Sequence, residues 1–169
     1  MKDWKQINPE ELTDNVFKLI GKDWMLITAG KQDDFNTMTA SWGGMGVLWH
    51  KPVATVYIRP TRYTNEFVEK NEIFTLSFFE DKYRDALTIC GTISGRDEDK
   101  TAIVGLHGEP LPDGGLSYRE ARLAISCRKM YQDTFKPENF LDSGIERNYP
   151  KKDYHNIYIG EITGIFLAQ

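Results

Sequence analysis

Three features of the sequence predict a mainly β chain, an antiparallel barrel carrying short inserted helices. Short stretches rich in β-branched and aromatic residues alternate apolar with polar positions. Brief helical segments interrupt them irregularly, without the strand-helix repeat of a parallel sheet. Glycine and proline cluster in the connections. The chain has 169 residues, 40% hydrophobic and 12% aromatic, enough to close one substantial core but short for two. A single domain over residues 1–169 is expected.

Taken in order, Val16 to Ile20, Trp24 to Ala29, Val53 to Ile58, Ile73 to Phe79 and Ile157 to Leu167 read as strands. In the fourth, Phe74, Leu76 and Phe78 share one face while Thr75 and Ser77 share the other, as a barrel wall requires. Tyr63 to Lys70 reads as a helix, with Tyr63, Phe67 and Val68 at helical spacing. Tyr83 to Cys90 reads as a second, with Gly91 in the C-cap place. A third starts from Asp97 as N-cap and runs through Lys100 to Leu106. Gly108 to Tyr118, with Pro110, Pro112, Gly114 and Gly115, reads as a turn-rich hairpin. Arg119 to Thr134 stays open: Glu120 to Ala124 favours helix by propensity, whereas Ala121, Leu123 and Ile125 alternate as in a strand.

Charge and motif content narrow the function. The net charge of −4 and a pI near 5.4 disfavour a nucleic-acid partner, though a local donor cluster can still hold a small phosphate ester. Residues Met1 to Lys5 lack a signal-peptide core, and the apolar runs are too short to span a bilayer, so no membrane association and a cytoplasmic location are expected. Cys90 and Cys127 are far apart, without zinc spacing, and are expected as free thiols. Neither a phosphate-binding G-x-x-x-x-G-K-[ST] loop nor a G-x-G-x-x-G fingerprint occurs, and no G-x-S-x-G elbow or H-E-x-x-H pair. His50, His107 and His155 stand singly and are expected to be structural or solvent-facing. Hydrolytic and metal-dependent chemistry lacks support, and no catalytic residue is singled out.

Three polar clusters remain. Asn36 to Trp42 is dense in hydroxyls; if extended, it turns Thr37, Thr39 and Ser41 to one face and Met38, Ala40 and Trp42 to the other. Such a row can receive a polar ring or a phosphate, or be merely the wet side of a sheet. Arg59 to Asn65 leaves a strand and enters a helix, gathering two guanidinium groups and hydroxyls where the helix start adds positive potential. That suits a phosphate, and equally a capped helix with surface arginines. Ser94 to Lys100 offers small residues for close backbone approach and two cations, or is a solvated acidic turn.

Together and in order, these clusters resemble the flavin reductase-like, FMN-binding split-barrel family, including its flavoredoxin-like members. The matching segments are Thr37 to Trp42, Arg59 to Thr64, Ser94 to Asp97 with Lys100, and the late strand Tyr154 to Ile162; the resemblance spans Val16 to Phe166. It implies a six-stranded antiparallel Greek-key split barrel, a homodimer with FMN near the interface, and NADH or NADPH as electron donor. By the same resemblance, Thr37, Thr39, Ala40, Ser41 and Trp42 would line the isoalloxazine and ribityl chain. Arg59, Thr61 and Thr64 would contact the phosphate with Arg62 beside them, and Ser94, Gly95, Arg96 and Lys100 would close the site. It implies an NAD(P)H-dependent flavin reductase, with a non-enzymatic flavoredoxin-like electron carrier as the alternative. A pyridoxamine-phosphate-oxidase-like activity and a purely structural barrel are further alternatives.

Overall fold

A computed structural model describes residues 2–169. The chain opens with β1 (Trp4–Ile7). Next, where a strand is expected at Val16 to Ile20, it makes a helical turn, α1 (Val16–Lys18), which continues as a wider π turn over Leu19–Asp23. The cause is local: the Asn15 side chain accepts from the Lys18 N–H at 3.0 Å and caps the turn, outweighing the strand preference of Val16, Phe17 and Ile20.

Four strands follow in two hairpins: β2 (Met25–Lys31) with β3 (Asp34–Ala40), then β4 (Gly43–Leu48) with β5 (Lys51–Ile58). The second turns on Trp49 and His50, both at positive φ (51° and 58°), the backbone a two-residue hairpin demands. β4 is absent from the sequence reading because Gly43, Gly44 and Gly46 carry no alternation; its order comes from the ladder β5 provides.

The helix over Tyr63–Lys70, here α2, and the strand β6 (Ile73–Phe78) fall where expected. The next helix, α3 (Arg84–Thr92), runs through Gly91 instead of ending there. Gly91 serves packing: a Cβ on it would press within 3.3 Å of the Thr39 side chain. The third helix, α4 (Lys100–Ile103), is shorter than expected and is capped by Asp99, not Asp97; the Asp99 carboxylate accepts from the Ala102 N–H at 3.1 Å. β7 (Gly108–Pro110) and β8 (Leu116–Tyr118) form the expected hairpin.

The open stretch resolves as a strand, β9 (Leu123–Thr134), because β6 and the terminal β10 (Asn156–Ala168) pair with it on both sides. The main sheet is antiparallel in the order β3-β2-β6-β9-β10-β5-β4, with β1 added to β10. It holds eight strands where the resemblance implies six; one of the additions, β1, finds a place because β10 is 13 residues long and pairs with β5 along its first half and β1 along its last.

The ends of this sheet, β3 and β4, are joined only by Ser41 and Trp42. One face of every long strand meets in a shared core: Met25 and Ile27, Met38 and Ala40, Val56 and Ile58, Phe74 and Leu76, Ile125 and Tyr158. A second core under α3 packs Leu26, Phe79, Leu87, Cys90, Leu106 and Tyr118. The sheet is therefore buried on both faces over β2: α2 packs Phe67 and Val68 into the first core, and α3 packs Leu87 and Cys90 into the second.

Candidate functional site

The β3 wall alternates as expected, with Met38 and Ala40 in the barrel core. Its hydroxyl face is not wet. Thr37 is fully buried; its Oγ1 donates to the Ile27 carbonyl at 3.1 Å and lies 2.9 Å from Thr28 Oγ1. Thr39 Oγ1 donates to the Leu87 carbonyl of α3. These threonines fasten the wall to its neighbours, and what remains open to a ligand is the strand end, half-buried Ser41 and exposed Trp42.

A pocket of about 180 Å³ lies at the start of α2, lined by Thr61, Arg62, Tyr63 and Thr64 with Ser94, Gly95 and Lys100. Arg62 holds the N-cap position in extended conformation. Its Nη1 donates to the Gly91 carbonyl at 2.9 Å, while its Nη2 is buried with no hydrogen-bond partner. Lys100 is 4% exposed, and its ammonium donates to the carbonyls of Cys90 at 3.1 Å and Ile93 at 3.3 Å. Burial first, and Arg62 second, push its pKa down to about 8. Among the described residues neither cation forms an ion pair. Buried Lys100 and half-buried Arg62 have both lost hydration, a cost that an anion between them would offset.

Asn36 fastens the clusters together, a role its sequence position did not signal. Its Nδ2 donates to Thr64 Oγ1 at 2.9 Å, and a Cβ added to Gly95 would land on the Asn36 amide. The burial of Asn36, which the sequence does not reveal, is what gives it this role, since a buried amide needs a partner. Thus Asn36, Thr61, Arg62, Thr64, Ser94, Gly95 and Lys100 converge on one place.

Arg59 and Arg96 do not join them. Arg59 donates to Asp153 and to the Asn148 carbonyl, each at 2.7 Å, and lies over the Tyr149 ring. Arg96 pairs with Glu66 and lies over Tyr63 at the rim. His155 is buried, 2.7 Å from the Tyr149 hydroxyl through Nδ1 and 5.4 Å from the Trp42 ring centre. Burial, helped by Arg59, lowers its pKa to about 4, so it is neutral near pH 7. Both thiols are free and buried. Among the described residues no cluster of three or more His, Cys, Asp or Glu is placed to hold a metal, and no helix is long and apolar enough to cross a membrane.

The chain matches the family model of the flavin reductase like domain over residues 18–169. No curated protein matches it. It is similar in fold to an FMN-binding domain of a flavin reductases-like enzyme from Shewanella baltica, with TM-score 0.71 and 18% identity over 99% of this chain and 78% of that one. Flavoredoxin of Desulfovibrio vulgaris superposes with TM-score 0.68 at 21% identity, over 96% and 78% of the two chains. An FMN-binding protein from Thermus thermophilus, solved with bound 1-cyclohex-2-enone, gives 0.67 at 20% identity over 98% and 79%.

Proposed function

The chain belongs to the family of flavin reductase-like domains, and from that premise we propose that it is an FMN-binding oxidoreductase accepting hydride from NADH or NADPH. One observation carries the cofactor assignment: buried Lys100 next to half-buried Arg62, whose buried Nη2 has no partner, beside the hydroxyls of Thr61, Thr64 and Ser94. That donor set fits a phosphate, and the two anchors match what a flavin mononucleotide presents at its charged end.

In this reading Arg62, Lys100, Thr61 and Thr64 hold the phosphate, and Gly95 lets the backbone come close. Ser41, Trp42 and the β3 end face the ring, with Thr37, Thr39 and Ala40 shaping the wall behind them. Arg96 and Glu66 close the rim. Bound FMN would supply the hydride- and electron-transfer chemistry, so the protein's own part is to bind, orient and exclude water. The neutral His155, held by Tyr149 against Trp42, keeps that wall rigid without adding charge.

The same reading takes residues 1–169 as one domain and the working form as a homodimer with FMN near its interface. Support for the dimer is the edge strand β4, which exposes Val47 and is followed by the exposed turn residue Trp49, itself against the exposed Tyr131. Two free thiols fit the reducing cytoplasm.

The test is the visible spectrum of purified protein with FMN, before and after anaerobic NADH or NADPH. Flavin uptake and bleaching are expected. Folded protein that takes up no FMN overturns the reading. Uptake with no bleaching by either nicotinamide, but fast reduction by a protein donor, establishes the flavoredoxin-like carrier instead.

A further inference from the structure

Between β9 and β10 the chain leaves the main sheet as a strap over residues 135–155. Both of its ends are pinned. The Phe135 N–H donates to the His155 carbonyl at 3.0 Å and the Phe135 ring lies against Tyr57, while Arg59 holds Asp153 and the Asn148 carbonyl, each at 2.7 Å. Between strap and strands lies a cavity of about 400 Å³, lined by Phe135, Phe140, Ile145 and Tyr149 of the strap and by Ile157 of β10. All of these but Tyr149 are only half-buried, so the cavity shows apolar surface to water. Its volume and its apolar, aromatic lining are those of a small-molecule site.

The polar groups of the lining give the sign of the ligand. Its one carboxylate, Asp133, is already engaged: it accepts from the Thr134 N–H at 2.8 Å and from the Tyr131 hydroxyl at 3.1 Å. The Thr134 hydroxyl is likewise taken, donating to Asn156 at 2.7 Å. Lys136 is exposed and meets Asp133 only at 3.7 Å, beyond hydrogen-bond distance. The Asn139 amide makes no side-chain hydrogen bond among the described residues. The acceptors are therefore spent, and the groups left free are an ammonium and an amide N–H.

We propose that this cavity binds a small aromatic carboxylate, its ring against Phe140, Tyr149 and Ile157 and its carboxylate on Lys136 and Asn139. The ring buries apolar surface and meets two aromatic side chains edge-on or offset. The carboxylate accepts charge-assisted hydrogen bonds from the two free donors. An aromatic amine would bring a like charge to Lys136 and find Asp133 occupied. The site shares no lining residue with the pocket of Arg62 and Lys100, and the proposal stands apart from the FMN reading. Its one link to that region is Tyr149, whose ring lines the cavity while its hydroxyl lies 2.7 Å from His155 Nδ1.

The experiment titrates the full chain by calorimetry with naphthalene-2-carboxylate, 2-naphthalenemethanol and 2-naphthylmethylamine, in excess FMN so that no flavin site is open to the probes. The acid is expected to bind with a Kd below about 1 mM. The alcohol should bind about 3- to 10-fold more weakly, and the amine more weakly still. Lys136→Gln should erase the advantage of the acid over the alcohol. Ile145→Trp, which fills the cavity, should abolish binding of both, with urea midpoints showing that each variant folds. Equal affinity for acid and amine, or binding that survives Ile145→Trp, overturns the proposal. Failure of the acid to bind overturns it too, and if Ile145→Trp then also disperses a dimer, the cavity belongs to a second copy of the chain.

Discussion

Asn36 Nδ2 donates to Thr64 Oγ1 across 2.9 Å, tying β3 to the first turn of α2, and the same amide lies where a Cβ of residue 95 would sit. One buried side chain thereby sets the spacing of three segments far apart in sequence. Removing it leaves Thr64 without its donor, a loss of about 1–3 kcal/mol for a buried polar pair. Asn36→Ala is expected to weaken FMN binding by roughly tenfold, read from fluorescence titration.

The contact with Gly95 makes a sharper prediction. In Gly95→Ala the new methyl displaces the Asn36 amide and breaks its bond to Thr64. That variant should lose affinity by about as much as Asn36→Ala. In the Asn36→Ala background there is nothing left to displace, so Gly95→Ala should add little. A double-mutant cycle with additive losses would show the two residues acting separately.

The two arginines of the Arg59 to Asn65 cluster should part company. Arg62 faces the pocket with a buried, unpartnered nitrogen, and Arg62→Ala is expected to cost FMN binding about 10- to 100-fold. Arg59 is held by Asp153, Asn148 and the Tyr149 ring. Arg59→Ala should instead loosen the chain from Asn148 to His155, lowering stability by about 1–2 kcal/mol. Its effect on FMN should be the smaller of the two. The reverse ranking would mean that Arg59 leaves Asp153 for the ligand.

That division marks the limit of what was legible. Periodicity carried the walls, because Phe74, Leu76 and Phe78 do share the buried face and Met38 and Ala40 do enter the core. Residue type picked out the clusters, but side-chain direction decides which members line the pocket. Nothing in the sequence tells that Asp153 claims Arg59 or that Leu87 claims Thr39. β4 and the long reach of β10 were invisible for another reason: edge pairing depends on a partner's length, not on the strand's own pattern.

Gly160 offers a test of the barrel apart from the cofactor. It lies at an irregularity between β9 and β10, and a Cβ there would approach Cys127 Cβ to 2.8 Å and the Phe74 ring to 2.9 Å. Gly160→Ala is expected to destabilise by about 1–3 kcal/mol through overpacking, exceeding the roughly 0.4–1 kcal/mol gained by restricting the unfolded chain. Urea unfolding should show a lower midpoint at unchanged slope. A midpoint equal to or above that of the unmodified chain would place slack in this part of the core.

His155 links stability to pH. Its pKa is lowered to about 4 by burial first and Arg59 second, against about 6.5 in an unfolded chain. Above pH 6.5 both states hold it neutral, and its contribution is fully present. As pH falls from about 6.5 toward 4, the unfolded state binds a proton that the folded state refuses, so stability declines by at most about 1.4 kcal/mol per pH unit from this group. Carboxylates with lowered pKa, such as Asp153 and Glu161, add their own loss at lower pH. His155→Gln removes the imidazole while leaving an acceptor for the Tyr149 hydroxyl. Urea midpoints between pH 7 and about 5 should fall steeply in the unmodified chain and more gently in the variant; parallel slopes would mean that His155 charges as freely folded as unfolded.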